Sequence, residues 1–264
     1  MDLDLGGRVA IVTGASQGIG RAITLSLAAE GADVLLVARR AEGLEAVAGE
    51  VADLGRRAEV LSADVTDHAA ADAVATAALD AFGRIDILVN NAGKGSPKPL
   101  LELSPADWDA VLELNLLSAV RLVHACVPTM RAQHWGRIVN ISSRVALEPD
   151  PYFAAYAAAK AALVNFSKSC AGAFSADGVL TNCVVPGLIR SEAVDEAARR
   201  SAEATGRTVE EVFDATLRKR PIPVGRLGEP DDVAGLVTLL ASDRASWITG
   251  GCFVVDGGIV RSDR

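Results

Sequence analysis

Residues 9–20 read Val9-Ala-Ile-Val-Thr13-Gly14-Ala15-Ser16-Gln17-Gly18-Ile19-Gly20. Five apolar or β-branched residues, fit for a covered strand, run without a gap into a glycine-punctuated turn, and helix-forming residues follow. A strand, a glycine turn and a helix in that order form the setting in which backbone can cradle a dinucleotide. Gly14 can take the tight turn, Gly18 lets backbone approach a pyrophosphate, and Gly20 lets the helix pack closely on the strand. The helix N-terminus then offers free N–H groups and the positive end of a dipole to the anion. Ser16, Gln17 and Ile19 complete the loop and join the glycines as cofactor-binding candidates. A glycine turn with no ligand is the competing reading.

Outward from this unit, short apolar runs alternate with Ala-rich helical segments along the whole chain. The predicted strands are Val9–Thr13, Asp33–Ala38, Ala58–Ser62, Ile85–Asn90, Arg137–Ser142, Val179–Val185 and Cys252–Asp256. They are nearly continuous in apolar character rather than alternating, as strands covered by helices on both faces are. The pattern predicts an α/β fold: one doubly wound, Rossmann-type domain over residues 1–264, with a parallel seven-stranded sheet. Ser104-Pro105-Ala106-Asp107 reads as a helix start. Its helix carries Trp108, Val111, Leu112, Asn115, Ala119, Leu122 and Val123 on one predicted face, where Asn115 interrupts an apolar stripe. Residues of about 188–220 are charged and helical in propensity, with a second helix start at Thr208-Val-Glu-Glu211. They read as a lid over the sheet, too short to hold a core of their own.

The 264 residues carry 26 Lys+Arg against 34 Asp+Glu, a net charge of −8. That balance offers nothing to nucleic acid or to an anionic lipid surface. Cys126, Cys170, Cys183 and Cys252 are scattered, and His68, His124 and His134 lack metal-ligand spacing, so no metal is predicted. The polar start Met1-Asp-Leu-Asp-Leu5 does not read as a signal peptide. No apolar run is expected to reach the roughly 20 residues that cross a bilayer. A reduced, cytoplasmic protein is the expectation. The clusters Arg199-Arg200 and Arg218-Lys219-Arg220 lie among acids and read as solvated helix faces.

The loop spacing G-x-x-x-G-x-G resembles that of the compact short-chain dehydrogenase/reductase family. Asn90-Asn91-Ala92-Gly93, Asp64-Val65, Pro186-Gly187, Asp231-Asp232-Val233-Ala234 and Asp256-Gly257-Gly258 match further family marks in the expected order. The resemblance implies that Asp64 and Val65 meet adenine. It places Asn91, Ala92, Gly93, Pro186, Gly187 and Ile189 around the cofactor, with Ser191 at the nicotinamide carboxamide. It also implies a homotetramer acting on a small carbonyl or alcohol, with substrate-dependent variation in the Lys94–Leu100 loop and the lid.

Tyr156-Ala-Ala-Ala-Lys160 is the chemical centre. At i and i+4 both side chains share a helix face, on a segment without another charge from Ala154 to Ser167. A free phenol holds its proton at pH 7 with a pKa of about 10. A nearby ammonium, with the positive ring of an oxidised nicotinamide, favours phenolate, so Tyr156 reads as the general acid and base. Tyr152 lacks a lysine four residues on and is assigned to the substrate rim or to packing. Ser143, 13 residues before Tyr156, stands at the spacing of the family's catalytic serine; Ser142, on the opposite face of the strand, is the alternative. Asn115, in Leu114-Asn115, matches the residue that in the family holds a water linking the lysine to solvent.

The cofactor selector belongs at the end of the second strand. Asp33 begins that strand, about 16 Å away at ~3.3 Å per residue. The end reads Val37-Ala38-Arg39-Arg40, with Ala38 where relatives that use NAD carry Asp. Arg39, with Arg40 beside it, suits a 2′-phosphate, although Gln17 stands where many NADP-using relatives have a basic residue. NADP(H) is expected over NAD(H). The leading reading is an oxidoreductase moving hydride between NADP(H) and a carbonyl or secondary alcohol, with a 3-oxoacyl-carrier ketone as one substrate class. An NAD-dependent enzyme of the same family and a cofactor-sensing protein without catalysis are the alternatives; the second should have lost Tyr156 or Lys160.

Overall fold

The structure, a computed structural model, describes residues 3–219 and 221–261. The readings that fall on Met1, Asp2 and Arg220 lie outside the described residues. Among the described residues, seven strands form one parallel sheet: β1 (Val9–Thr13), β2 (Asp33–Ala38), β3 (Ala58–Ser62), β4 (Ile87–Asn90), β5 (Gly136–Ile141), β6 (Val179–Pro186) and β7 (Cys252–Val255). Their spatial order is β3-β2-β1-β4-β5-β6-β7. The direction of winding reverses between β1 and β4. A crevice opens there at the carboxyl ends of the strands, where open α/β sheets bind ligands.

The helices are α1 (Gly18–Ala29), α2 (Ala41–Asp53), α3 (Ala70–Phe82), α4 (Pro105–Leu112), α5 (Ser118–Ala132), α6 (Ala154–Phe174), α7 (Glu192–Thr205), α8 (Val209–Lys219) and α9 (Pro230–Ala241). Two cores flank the sheet. One gathers Ile23, Leu27, Leu36, Leu44, Val51 and Leu240; the other gathers Leu35, Val74, Leu88, Leu122, Met130 and Ile138. Central strands β1, β4 and β5 are buried at every position, whereas the edge strands β3 and β7 alternate with exposed residues. This explains why the central runs read as unbroken apolar stretches.

Strand ends differ from expectation by one or two residues. β4 starts at Ile87, above Asp86, whose buried carboxylate accepts from Val9 N at 2.9 Å and from Arg84 Nε and Nη2 at 2.7 Å each. β5 ends at Ile141, so both Ser142 and Ser143 lie beyond it.

The helix after Ser104 departs from its expected form. Ser104 and Asp107 make the predicted capping box. The helix then widens through a π-turn at Glu113–Leu117 before continuing as α5. One added residue in that turn rotates the apolar face, so Trp108, Val111 and Leu112 are only half-buried while Ala119, Leu122 and Val123 enter the core. The whole run Pro105–Ala132 is 28 residues, long and apolar enough to cross a membrane by length and composition. The expectation that no such run exists is therefore corrected: scattered polar residues hide it in a residue-by-residue reading. Here α5 buries Leu122, Cys126, Val127 and Met130 against the sheet and α3.

The segment that the sequence reads as a lid forms two helices, α7 and α8. Thr208 and Glu211 exchange side-chain and backbone hydrogen bonds at the start of α8, and Gly206, at φ +66°, ends α7 in the left-handed conformation that favours glycine.

Candidate active site

The glycine loop presents an anion-binding end. Gln17 makes no side-chain cap to α1, and the first turn holds no acid, so its N–H groups are left to a ligand. A Cβ at Gly20 would stand 2.1 Å from Gly14 O, and one at Gly14 would stand 2.9 Å from Asn91 Nδ2. The cradle therefore requires glycine at both places, and the residues present fit a dinucleotide pyrophosphate. Asn91 braces this loop: Nδ2 donates to Thr13 O at 2.9 Å and to Gly14 O at 3.3 Å. Thr13 Oγ1 accepts from Asn91 N and Ala92 N, both at 3.0 Å. Thr13 was not singled out from the sequence, because inside a strand run it reads as a β-former.

At the end of β2, Arg39 and Arg40 are both exposed. Arg40 Nη2 donates to Gln17 Oε1 at 2.9 Å, which ties the strand end to the glycine loop. Asp64 is held below the usual carboxylate range mainly by hydrogen bonds from Thr66, with a contribution from the Arg39 charge. Asp33 is engaged at the opposite end of the strand by Arg56 Nη2, at 2.7 Å, and Arg57 N. Val65 is buried in the core, and its carbonyl accepts from Arg121. Ile189 is also buried, bridged to Gly228. Pro186 ends β6, and Gly187 N donates to Val255 O at 2.9 Å. Ser191 caps α7 by accepting from Val194 N at 3.4 Å, and this start of α7 abuts Gly18.

α6 carries Tyr156 and Lys160. Lys160 is only 2% exposed, and its Nζ donates to Ile141 O at 2.9 Å. The ammonium lies 5.7 Å from the centre of the Tyr156 ring. Desolvation lowers Lys160 from 10.5 to about 8. Tyr156 departs from expectation. Its burial pushes the phenol up, and the hydrogen bond with Ser143 pulls it back only in part. The ammonium is turned to a carbonyl rather than to the hydroxyl, so the protein alone does not deliver the lowering that the sequence suggested.

The two serines separate cleanly. Ser142 is buried and its Oγ donates to Lys160 O at 2.9 Å, whereas Ser143 meets the phenol. Ser142 thus holds the turn of α6 that carries the lysine. Asn115 is buried in the π-turn. Its Nδ2 donates to Val111 O at 3.0 Å and Lys94 O at 3.1 Å, and its Oδ1 accepts from Lys94 N at 3.0 Å. Both amide donors are engaged, which leaves one lone pair on Oδ1 as the side chain's free capacity. Gly93 fills the gap between Asn115 and Lys160: a Cβ there would stand 2.7 Å from Asn115 Oδ1 and 3.0 Å from Lys160 Nζ. Tyr152 is exposed, and its carbonyl accepts from Lys98 N at 2.8 Å, pinning the Lys94–Leu100 loop. Among the described residues no cluster of His, Cys, Asp or Glu could hold a metal ion.

A buried polar chain behind the site went unread in the sequence. Asn90 Nδ2 donates to Asn140 Oδ1, and Asn140 Nδ2 to Ser167 Oγ, each at 2.8 Å. The only signal is an Asn in each of two apolar runs.

The family model for short chain dehydrogenases matches residues 8–202. The 3-oxoacyl-(acyl-carrier-protein) reductase FabG of Thermotoga maritima is 35% identical over 97% of this chain and 99% of its own length. The Escherichia coli protein of the same name is 38% identical over 96% and 97%. Among solved structures, L-sorbose reductase from Gluconobacter frateurii, in complex with NADPH and L-sorbose, superposes with a TM-score of 0.96. It is 35% identical, covering 99% of this chain and 100% of that one.

Proposed function

This chain belongs to the short-chain dehydrogenase/reductase family, and from that premise we propose an NADP(H)-dependent carbonyl reductase in which Tyr156 moves the proton. The observation that carries this reading is the Ser143–Tyr156–Lys160 arrangement at the carboxyl end of β5. Gly14, Gly18 and the open end of α1 hold the pyrophosphate, and Arg39 and Arg40 take the 2′-phosphate where an acid would select against it. When bound, the nicotinamide supplies or accepts hydride. Ser143 Oγ donates to the substrate oxygen and holds it at the phenol. Tyr156 gives its proton to that oxygen as negative charge builds there, and takes it back in the reverse direction. The Lys160 ammonium stabilises the phenolate left behind, and the positive ring of the oxidised cofactor adds to this. At about 8, Lys160 can itself exchange a proton near working pH.

A 3-oxoacyl thioester is the substrate class favoured by the curated relatives. The exposed apolar residues Leu100, Leu101 and Tyr152 support it, as a rim along which an acyl chain can lie. A ketose is the second reading, favoured by the sorbose complex. A cytoplasmic homotetramer is part of the proposal and rests on the family resemblance alone. Following NADPH absorbance with a 3-oxoacyl thioester and with L-sorbose in parallel separates the two substrates. Tyr156→Phe should lower kcat by about 10²–10⁴-fold with NADPH binding retained; unchanged turnover refutes the role of the phenol.

A further inference from the structure

Cys183 and Cys252 are far apart in sequence and directly opposed in space. They are register partners on the parallel pair β6·β7. Neighbouring strands run about 4.8 Å apart, inside the 4.4–6.8 Å Cα separation that a disulfide bridges. The two thiols lie close enough to perturb each other's ionisation. Their exposures differ sharply: Cys183 is 1% exposed, while Cys252 faces solvent on the edge strand. Behind Cys183 lie Ser167 and the Lys160 charge, both of which favour its ionised form against burial.

We propose that Cys252 and Cys183 form a peroxide-sensitive dithiol, with Cys252 as the attacking thiolate and Cys183 as the resolving thiol.

The Cys252 sulfur attacks one oxygen of a hydroperoxide. The O–O bond breaks, water (or the alcohol) leaves after protonation, and Cys252 becomes a sulfenic acid. The Cys183 sulfur then attacks the Cys252 sulfur, the S–O bond breaks, and a second water leaves. Two thiols are oxidised to one disulfide, and the peroxide oxygens are reduced. An accessible, readily ionised thiol beside a resolving cysteine is the arrangement of redox-sensing pairs. The neighbouring Cys183 thiol lowers Cys252 from 9 to about 7, while that contact and burial raise Cys183. Cys126 and Cys170 are buried, and burial raises them to about 12 and about 11, so they serve as internal controls.

The test treats the intact, reduced protein with hydrogen peroxide at pH 7, followed by alkylation and peptide mapping. The expected product is an intramolecular Cys183–Cys252 link with loss of two hydrogens, reversed by dithiothreitol, while Cys126 and Cys170 stay reduced. Cys252→Ser should abolish the link and leave Cys183 unoxidised. Cys183→Ser should instead let a dimedone adduct accumulate on Cys252. A Cys252 that stays reduced when Cys126 reacts, a Cys252–Cys252 link between copies, or a dimedone yield the same with and without Cys183 would each overturn the proposal.

Discussion

Replacing Lys160 by Met should make the protein a poor catalyst without costing stability at pH 7. The lysine is all but sealed from water, and the cost of burying its charge appears as a fall from 10.5 to about 8. Each unit is worth about 1.4 kcal/mol, so the buried ammonium costs about 3 kcal/mol at pH 7. The sign follows from proton binding. Between about 8 and 10.5 the unfolded chain binds the proton and the folded chain does not, so stability rises with pH across that window. The cost is full below pH 8 and falls to about 1 kcal/mol by pH 10. Met matches the aliphatic stem but cannot donate to Ile141 O. A carbonyl left unpaired costs about 1–3 kcal/mol at any pH, because a neutral amine donates as an ammonium does. The net gain at pH 7 is therefore anywhere from nothing to about 2 kcal/mol. The pH dependence is the sharper readout. Urea unfolding of both proteins without nucleotide should show the wild type gaining about 2 kcal/mol on the variant between pH 7 and pH 10. A stability difference that stayed constant over that range would mean that Lys160 carries no desolvation cost and that water reaches the site.

Three further outcomes follow from named contacts. Ala38→Asp with Arg39→Leu should reverse the cofactor preference, read as the ratio of kcat/KM for NADPH and NADH, because it supplies an acid for the ribose hydroxyl and removes a charge from the phosphate site. Asp86→Ala should cost about 3–5 kcal/mol in urea unfolding with kcat unchanged: it strands the Val9 N–H and unpairs Arg84 at the end of the sheet remote from the chemistry. A loss under about 1 kcal/mol would show that water replaces the carboxylate there. Gly93→Ala should lower kcat about tenfold or more, because Asn115 and Lys160 must both give way to the new methyl. Its effect on NADPH affinity should be smaller, since the glycine loop is untouched.

Much of the architecture is legible because it rests on local rules. The strand runs, the Ser104 and Thr208 capping signals and the glycine turn each depend on a few neighbouring residues, and the structure shows them within one or two positions. Readings that depended on partners distant in the chain fared differently. The sequence marks Asn115 as a break in an apolar stripe, but not the π-turn that rotates the stripe there, nor that the Asn115 side chain is held by the backbone of Lys94, which arrives from the end of β4. Tyr156 and Lys160 share a helix face, as i and i+4 residues must. The direction in which the lysine points depends on Ile141 of β5, which no spacing on α6 can specify.

By itself, the sequence determined the element order, the parallel doubly wound sheet and the glycine turn after β1, and it singled out Ser143, Tyr156 and Lys160 as the proposed reacting groups; these readings follow from periodicity, backbone allowance and residue chemistry over short spans, and for the three residues from the family resemblance. Only the tertiary structure decided which serine meets the phenol, in which directions burial shifts Tyr156 and Lys160, that Arg40 reaches Gln17, and that two scattered cysteines are neighbours. Those outcomes depend on strand register and on desolvation, and both are properties of the packed sheet rather than of any stretch of chain.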